Sequence, residues 1–279
     1  MNRIVLRCLV TASFMVSGCS SWVPPVVCQE VSAVNPTFTI LFDNVPHTEG
    51  YRTSWGYACL IRGLEKTILF DTGGDGRLLL DNMEQAGVDP REIDVIVLSH
   101  FHGDHTGGLH ALLPLCEDVA VYLPETFPEA FRDEVRAQVS ELVEISGPVS
   151  IVDGVKTTGI LGYQIPEQSL AIRIPEGVVV VTGCAHPGLV GICEKAREIT
   201  HPKPVFLMGG FHLRGFSKTE VTNLVESLES AGVAAMMPSH CTGGTARYTI
   251  EKMLGDRCLT GGAGRVLTIK DIRSALETP

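Results

Sequence analysis

Metal-binding side chains are concentrated in residues 99–108, which read SHFHGDHTGG. His100 and His102 leave a predicted strand in an extended conformation, so their side chains point the same way and can reach one cation. Asp104 and His105 lie at the turn into a predicted helix and face a neighbouring point. Neutral imidazole and carboxylate suit zinc, and also iron or manganese. The stretch therefore predicts two imidazoles for one metal ion and an Asp–His pair for a second.

Three later histidines follow closely on apolar runs that we predict to be strands. The runs span 177–183, 204–210 and 233–239, and they precede His186, His212 and His240. The histidine-rich stretch follows the β-branched run 94–99 in the same way. Open sheets with helices on both faces bind ligands beyond their strand ends, so we expect these polar residues to gather at one edge.

The rest of the chain alternates strands and helices, as in an α/β protein. Further strands are predicted at 38–44, 57–63, 66–74 and 119–123, and helices at 77–87, around 128–139, at 188–200 and at 217–232. The 66–74 strand ends in an acidic, glycine-rich turn that contains Asp71.

The composition is that of a folded, acidic chain. Of the 279 residues, 44% are hydrophobic and 19% are charged, and the formal net charge is −10. This content supports a full buried core, in one large domain or two fused halves, and argues against disorder. Since no block of Lys and Arg stands out, we do not expect a nucleic-acid partner.

The N-terminal residues have the pattern of an export signal. Two arginines precede an apolar run that is too short and wrongly flanked for a membrane-spanning helix. Residues 16–19, VSGC, resemble the lipobox of bacterial lipoproteins, which implies cleavage before Cys19 and lipidation of its thiol. An ordinary signal peptide cut nearby and an uncleaved anchor are the alternatives.

We therefore divide the chain into three parts. Residues 1–18 are predicted to be a signal peptide, 19–36 a tether and 37–279 the folded domain. Lipidated Cys19 would attach the protein to a membrane. Because Ser20 follows it, and not the Asp that favours inner-membrane retention, we expect a cell-envelope lipoprotein in the outer membrane, facing the periplasm.

The stretch SHFHGDHTGG resembles the HxHxDH motif of the metallo-β-lactamase superfamily. The resemblance covers roughly residues 37–270 and implies the fold of that superfamily, an αββα sandwich of the α/β class. It also implies that Asp71, in LFDTG, orients a metal-binding imidazole without binding the metal itself.

The same resemblance implies ligands for two metal sites. The first site would use His100, His102 and His186, and the second would use Asp104, His105 and His240. We expect one or two zinc ions, with iron and manganese as alternatives.

Five short motifs are similar to a narrower branch of this superfamily. LFDTGG, SHxHxDHTGGL, TGCAHPG, GGFHL and PSHCTG together resemble the branch that contains 7,8-dihydropterin-6-yl-methyl-4-(β-D-ribofuranosyl)aminobenzene-5′-phosphate synthase. Phe101 and Gly103 depart from that branch, which usually has Gly and Tyr at these positions. Its members are cytosolic, whereas this chain has the features of an exported protein.

His212 stands where many superfamily hydrolases have an aspartate that bridges two metals. Each imidazole nitrogen offers a single lone pair, so a histidine bridges poorly through one nitrogen. Three roles stay open: binding one metal, hydrogen bonding to the attacking water or the substrate, or packing beneath the site. Without the bridging carboxylate, we expect the second metal to bind more weakly.

Two cysteines and one arginine lie beside these histidines. Cys184 is two residues before His186 and can face the site, whereas Cys241 is adjacent to His240 and is expected to face away. Small buried thiols are a sufficient interpretation of both. Arg214 is either a contact for an anionic substrate or a solvated loop residue.

These residues predict metal-assisted hydrolysis of a small-molecule substrate, which is anionic if Arg214 contacts it. The cation would polarise a carbonyl or phosphoryl group and activate water. The predicted catalytic residues are Asp104, which can accept the nucleophile's proton, Asp71 and His212. Two alternatives stay open: a transferase like the dihydropterin branch, and a non-catalytic metal-binding lipoprotein.

Overall fold

The structure is a computed structural model that describes residues 35–278. The predicted signal peptide, Cys19 and nearly all of the predicted tether lie outside these residues. Within the described part, no helix is both long and apolar enough to cross a membrane.

Two β-sheets form the centre of the described part. In chain order, the strands are β1 (Thr37–Asp43), β2 (Tyr57–Arg62), β3 (Ile68–Phe70), β4 (Val95–Val97), β5 (Ala120–Pro124), β6 (Glu141–Ile145), β7 (Ser150–Val152), β8 (Val155–Thr157), β9 (Leu170–Ile174), β10 (Gly177–Thr182), β11 (Pro204–Gly210), β12 (Ala235–Ser239) and β13 (Val266–Thr268). One sheet has the order β13–β1–β2–β3–β4–β5–β6, and the other has the order β12–β11–β10–β9–β8–β7. Strands β3 to β6 run parallel, as do β10 to β12, so each group ends at one edge of its sheet.

Helices flank the two sheets. They are α1 (Gly76–Gln85), α2 (Gly103–Thr106), α3 (Leu109–Leu112), α4 (Glu129–Arg136), α5 (Leu189–Thr200), α6 (Lys218–Ala231), α7 (Gly244–Leu254) and α8 (Ile269–Glu277). Apolar residues of α1, α3 and α4 pack on the first sheet, and those of α5, α6 and α7 pack on the second. The predicted αββα sandwich is confirmed.

Strand β10 shows why its sequence is uniformly apolar. Val179 and Val181 point into the core between the sheets, whereas Val178 and Val180 pack against the outer helices. A strand that is buried on both faces has no solvent-facing positions, so hydrophobic and polar residues do not alternate along it. Strand β4 is built in the same way, and both strands lead directly into the polar turns described below.

The predicted helices lie within a few residues of their observed bounds, and the long predicted strand 66–74 is shorter. Helix α6 begins at a capping box in which Ser217 and Glu220 bond to each other's backbone N–H groups, and it ends at Gly232, where φ is +108°. Strand β3 stops at Phe70 because Asp71 adopts a left-handed conformation, with φ at +59°. That turn points the Asp71 side chain into the site.

Candidate metal centre

His100 and His102 follow β4 and point to one place. Nε2 of His100 lies 3.0 Å from Nδ1 of His102. The Ser99 hydroxyl donates to Asp71 and lies 2.8 Å from Nδ1 of His100, so this nitrogen carries the proton and the Nε2 lone pair is free. Two nitrogen atoms on one tetrahedral zinc ion lie roughly 3.3 Å apart. The observed separation therefore suits a shared cation.

His186 completes this first group of imidazoles. Its ring centroid lies 4.7 Å from that of His100 and 5.1 Å from that of His102. Glu167 Oε2 accepts hydrogen bonds from Nδ1 of His186 at 2.8 Å and from its backbone N–H at 2.9 Å. The proton is thereby held on Nδ1, and Nε2 is left free to bind.

Glu167 was not predicted from the sequence, yet it holds the turn that carries His186. It is buried, and its Oε1 accepts the backbone N–H groups of Cys184 at 2.9 Å and Ala185 at 2.8 Å. Burial raises the pKa of Glu167, but the hydrogen bonds from His186 and the nearby His100 outweigh it and lower the pKa to about 2. The sequence offers only an acidic residue shortly before β9, with no sign of the turn that it holds.

Asp104, His105 and His240 form a second group beside the first. Asp104 Oδ2 lies 3.7 Å from Nε2 of His105 and 3.4 Å from Nε2 of His240. Nδ1 of His105 donates to Asp71 at 2.7 Å, and Nδ1 of His240 donates to Asn44 at 2.9 Å. Both Nε2 atoms therefore keep a lone pair: that of His105 faces Cys184 Sγ at 3.3 Å, and that of His240 is buried without a hydrogen-bond partner among residues 35–278.

Asp71 connects the two groups. It is fully buried, and it accepts the backbone N–H of Ser99, the Ser99 hydroxyl and Nδ1 of His105, each at 2.7 Å. Since the Ser99 hydroxyl in turn accepts from His100, one carboxylate sets the tautomer of an imidazole in each group. Burial raises the pKa of Asp71 to about 7.

Burial also sets the charge of the candidate ligands. It lowers the pKa of His100 and of His105 to about 3, so both rings are neutral at pH 7, which is the form that binds cations. Burial opposes ionisation of Asp104, but the rings of His240 and His105 hold its pKa well below the usual range. His100 and His105 thus offer neutral nitrogen atoms, and Asp104 offers an ionised carboxylate.

Left-handed backbone conformations concentrate at this site. Six non-glycine residues of the described part have positive φ, and four of them are Asp71 (+59°), Ala185 (+62°), His212 (+50°) and His240 (+45°). Such conformations are costly for residues with a Cβ and persist where the surrounding structure holds them in place. Here they turn the chain sharply at the ends of β3, β10, β11 and β12.

The expectation that Cys241 faces away from the site is wrong. Its Sγ accepts the backbone N–H of His212 at 3.3 Å and lies within 4.8 Å of Cys184 Sγ. Alternation of side chains stops at His240, where the positive φ begins a 3₁₀ turn in place of an extended strand. A hydrogen bond from Cys184 lowers the pKa of the Cys241 thiol and raises that of Cys184.

Cys184 faces the site, as the sequence allowed. Its Sγ lies 3.3 Å from Nε2 of His105. It also lies within 4.8 Å of ligand atoms of His100 and His186, and of His105 and His240.

His212 lies beside His186 at the solvent-exposed mouth of the site. Its side chain is exposed, and its ring centroid is 4.5 Å from that of His186. It shares a potential ligand group with Cys184 and Cys241, and no such group joins it to His105 or His240 in residues 35–278.

An aromatic and a cationic side chain border the same mouth. The Trp55 ring lies 4.9 Å from that of His240, and the guanidinium carbon of Arg214 lies 5.4 Å from the Trp55 ring centre. Trp55 was not predicted, because it lies in a loop without a motif.

Phe101 is 45% exposed and packs against Phe127 and Phe131.

The donors of both groups suit divalent cations. Imidazole, carboxylate and thiol are the ligand types of zinc and related metals. The buried Nε2 of His240 has no hydrogen-bond partner within the described residues, which a cation would supply. The comparison with known families agrees, because residues 56–240 match the model of the metallo-beta-lactamase superfamily.

The chain belongs to the metallo-β-lactamase superfamily. The resemblance predicted from SHFHGDHTGG is therefore confirmed. Superfamily members typically bind divalent metals, and the described part brings His and Cys candidates for such binding together.

Known proteins similar to this superfamily member include enzymes of different kinds. The 7,8-dihydropterin-6-methyl-4-(beta-D-ribofuranosyl)-aminobenzene-5'-phosphate synthase of Methanocaldococcus jannaschii is 27% identical, over 74% of this chain and 87% of the relative. The crystal structure of Tm1679, described as a metal-dependent hydrolase of the beta-lactamase superfamily, has a TM-score of 0.69 and 26% identity, over 83% of this chain and 98% of that chain. The crystal structure of human tRNase Z, short form, has a TM-score of 0.55 and 15% identity, over 84% of this chain and 99% of that chain. This similarity shows the fold alone.

Proposed function

We propose that this protein is a metal-dependent hydrolase with two cation sites. Zinc is the metal we expect, with iron and manganese as alternatives. One observation carries the proposal: four imidazoles have an acceptor on Nδ1 that leaves Nε2 free. Ser99, Asp71, Glu167 and Asn44 accept from His100, His105, His186 and His240 respectively. Fixing the tautomer in this way raises the basicity and fixes the orientation of a metal-binding histidine.

Each group of residues has a distinct task in the proposal. His100, His102 and His186 would hold one cation, and Asp104, His105 and His240 would hold the other. A bound divalent cation supplies Lewis acidity, which polarises a substrate oxygen and makes water more acidic. The low pKa of Asp104 keeps its carboxylate ionised, which favours binding the cation and orienting the nucleophile over storing its proton.

The mouth of the site favours a small anionic substrate. Arg214 places a positive charge beside the exposed Trp55 ring, and Trp55 contacts the ring of His240. An aromatic face and a guanidinium together suit a substrate that has a planar or apolar part and a carboxylate or phosphate.

A second candidate is a transferase that resembles the dihydropterin branch. The similarity to the Methanocaldococcus jannaschii synthase supports it, because that similarity extends over most of both chains. A transferase passes a group to a second substrate and not to water, so identification of the products separates the two reactions. A non-catalytic metal-binding protein is the third alternative, and it would bind metal without turnover.

The test combines metal analysis with a substrate panel. The purified chain is freed of metal, reloaded with Zn²⁺, Fe²⁺ or Mn²⁺, and assayed on esters, lactams and phosphodiesters. We expect metal-dependent hydrolysis that His102→Ala abolishes. The exposed His110 lies outside both groups, so His110→Ala is the matched control and should keep activity. Metal binding without turnover on any substrate would contradict a hydrolase.

We also propose that the protein is a lipoprotein of the cell envelope, anchored through Cys19, with the outer membrane as its location. The proposal is supported by the VSGC tetrad, by the arginines and the apolar run that precede it, and, for the outer membrane, by Ser20. Cys19→Ser should release the protein from the membrane fraction or leave it unprocessed, whereas Cys28→Ser, in the same predicted tether, should not. Identical soluble fractionation of wild type and Cys19→Ser would contradict the anchor.

A further inference from the structure

The Cys184 side chain lies between the two groups of candidate ligands. Its Sγ is within 4.8 Å of ligand atoms of His100 and His186 on one side, and of His105 and His240 on the other. Among the residues that the structure describes, three sets of potential ligands occur, and Cys184 is the member that all three share. Its side chain is buried, with 3% of the residue exposed.

We infer that Cys184 provides an anionic sulfur bridge between the two cations of the proposed hydrolase. The inference rests on the proposed function. Its geometric basis is the 3.3 Å distance between Cys184 Sγ and Nε2 of His105. A sulfur and a nitrogen on one tetrahedral zinc ion lie roughly 3.5 Å apart, given the usual bond lengths.

A thiolate can do what the histidine at position 212 cannot. Sulfur in this form has several lone pairs and can bind two cations, whereas each imidazole nitrogen has one. As the sulfur–metal bonds form, the sulfur–hydrogen bond breaks and the proton leaves to solvent. No redox change occurs.

His240 provides an independent observation that points to a cation beside this sulfur. Its Nε2 is buried 3.4 Å from Asp104 Oδ2 and has no hydrogen-bond partner in residues 35–278, and a ligand atom of its ring lies within 4.8 Å of Cys184 Sγ. A weakly polar thiol is a poor partner for that lone pair. A cation bound to both atoms would satisfy them together.

Cys241 is the rival sulfur, and its contacts place it outside the bridge. It shares a set of potential ligands with Cys184 and His212 only, within the described residues. Its Sγ accepts the backbone N–H of His212 and lies 3.8 Å from the carbonyl oxygen of Cys184. Through these contacts Cys241 supports the turns that follow β10 and β11.

The bridge changes the expectation for the second cation. The sequence-based expectation of weak binding considers the His212 position alone. With Cys184 and Asp104, the second cation has two anionic ligands, so we expect it to bind about as tightly as the first.

Cobalt(II) is the probe that tests this inference, because cobalt bound to a thiolate absorbs in the near ultraviolet through sulfur-to-metal charge transfer. The metal-free, full-length chain is titrated with Co²⁺ and followed by absorption and calorimetry. The variants are Cys184→Ser, which removes the thiolate, and Cys184→Asp, which restores an anion without sulfur. Cys241→Ser tests the rival sulfur, and Cys193→Ser removes a buried thiol of α5 that is remote from the site.

We expect two tightly bound cobalt ions and a charge-transfer band in wild type, Cys241→Ser and Cys193→Ser. Cys184→Ser should lose the band and bind the second ion at least about tenfold more weakly. Cys184→Asp should regain much of that affinity without the band. Thermal unfolding of each metal-free variant identifies any variant that fails to fold. If Cys184→Ser fails to fold, Cys184→Asp still tests whether the band requires the sulfur.

Three results would overturn the inference. The band persists in Cys184→Ser, or it disappears in Cys241→Ser alone, or wild type binds cobalt without the band. In each of these cases the metal site of the proposed function stands without a sulfur bridge. Absence of any cobalt binding would instead contradict the proposed function as well.

Discussion

Asp71 Oδ2 accepts hydrogen bonds from Nδ1 of His105 and from the hydroxyl of Ser99, both at 2.7 Å, and that hydroxyl accepts from His100. A single buried carboxylate therefore fixes one imidazole in each of the two groups. Removal of such supporting contacts typically lowers metal affinity about 10–100-fold, although the ligands themselves are unchanged.

We predict that Asp71→Asn lowers metal affinity by about 10–100-fold. The amide oxygen can still accept the backbone N–H of Ser99, but the NH₂ group then replaces Oδ2, faces Nδ1 of His105 and donates to it. The His105 proton moves to Nε2, which blocks that nitrogen as a ligand. Calorimetric titration of the metal-free protein measures the change, with the exposed Asp133→Asn as control. Equal affinities would show that Asp71 does not set the tautomer.

Glu167→Gln should destabilise the turn that carries His186. A glutamine has one acceptor oxygen for donors that the carboxylate serves with two, and its NH₂ group opposes an N–H group. We expect a loss of about 1–3 kcal/mol in the free energy of unfolding. Chemical denaturation measures it, and Glu198→Gln, which removes an exposed partner of Lys195, should change little.

The same substitution should change the acid stability of the metal-free protein. The pKa of Glu167 is lowered from 4.5 to about 2, so its ionised form stabilises the fold above pH 4.5. That contribution is lost as the pH falls from 4.5 towards 2. Unfolding measured across this window should show a shallower pH dependence in Glu167→Gln than in wild type. Parallel curves would contradict the assigned charge state.

His212→Asn should leave the metal content unchanged and reduce turnover. Asparagine tolerates the positive φ of +50° at this position, so the backbone is preserved. Because the exposed His212 shares no potential ligand group with His105 or His240 in the described part, the second cation does not depend on it. Elemental analysis and steady-state kinetics check both parts, and loss of one metal ion would restore the sequence-based expectation.

Arg214→Ala should raise KM for an anionic substrate by about tenfold, the loss expected for one hydrogen bond to a charged group. Arg214→Lys keeps the charge and should recover part of the effect. A neutral substrate of the same reaction class is the control, since its KM should not change. An equal effect on both substrates would mean that Arg214 supports Trp55 and does not bind an anion.

The sequence predicted the sandwich and the gathering of histidines because both depend on local patterns. Apolar strands that end in polar residues predict a site at the sheet edge, whatever the details of the turns. Glu167 and Asn44 were missed because they reach the site from turns that have no motif of their own. The orientation of Cys241 was wrong because a positive φ at His240 ends the alternation on which that prediction relied.

The central claim is that two groups of residues each hold one cation. Elemental analysis of the purified chain and of two single variants tests it most directly. His102→Ala removes a ligand of the first group, and His240→Asn removes one of the second while tolerating the left-handed backbone there. We expect two metal ions per chain in wild type and about one in each variant. Unchanged metal content in both variants, or no metal in wild type after reconstitution, would contradict the account.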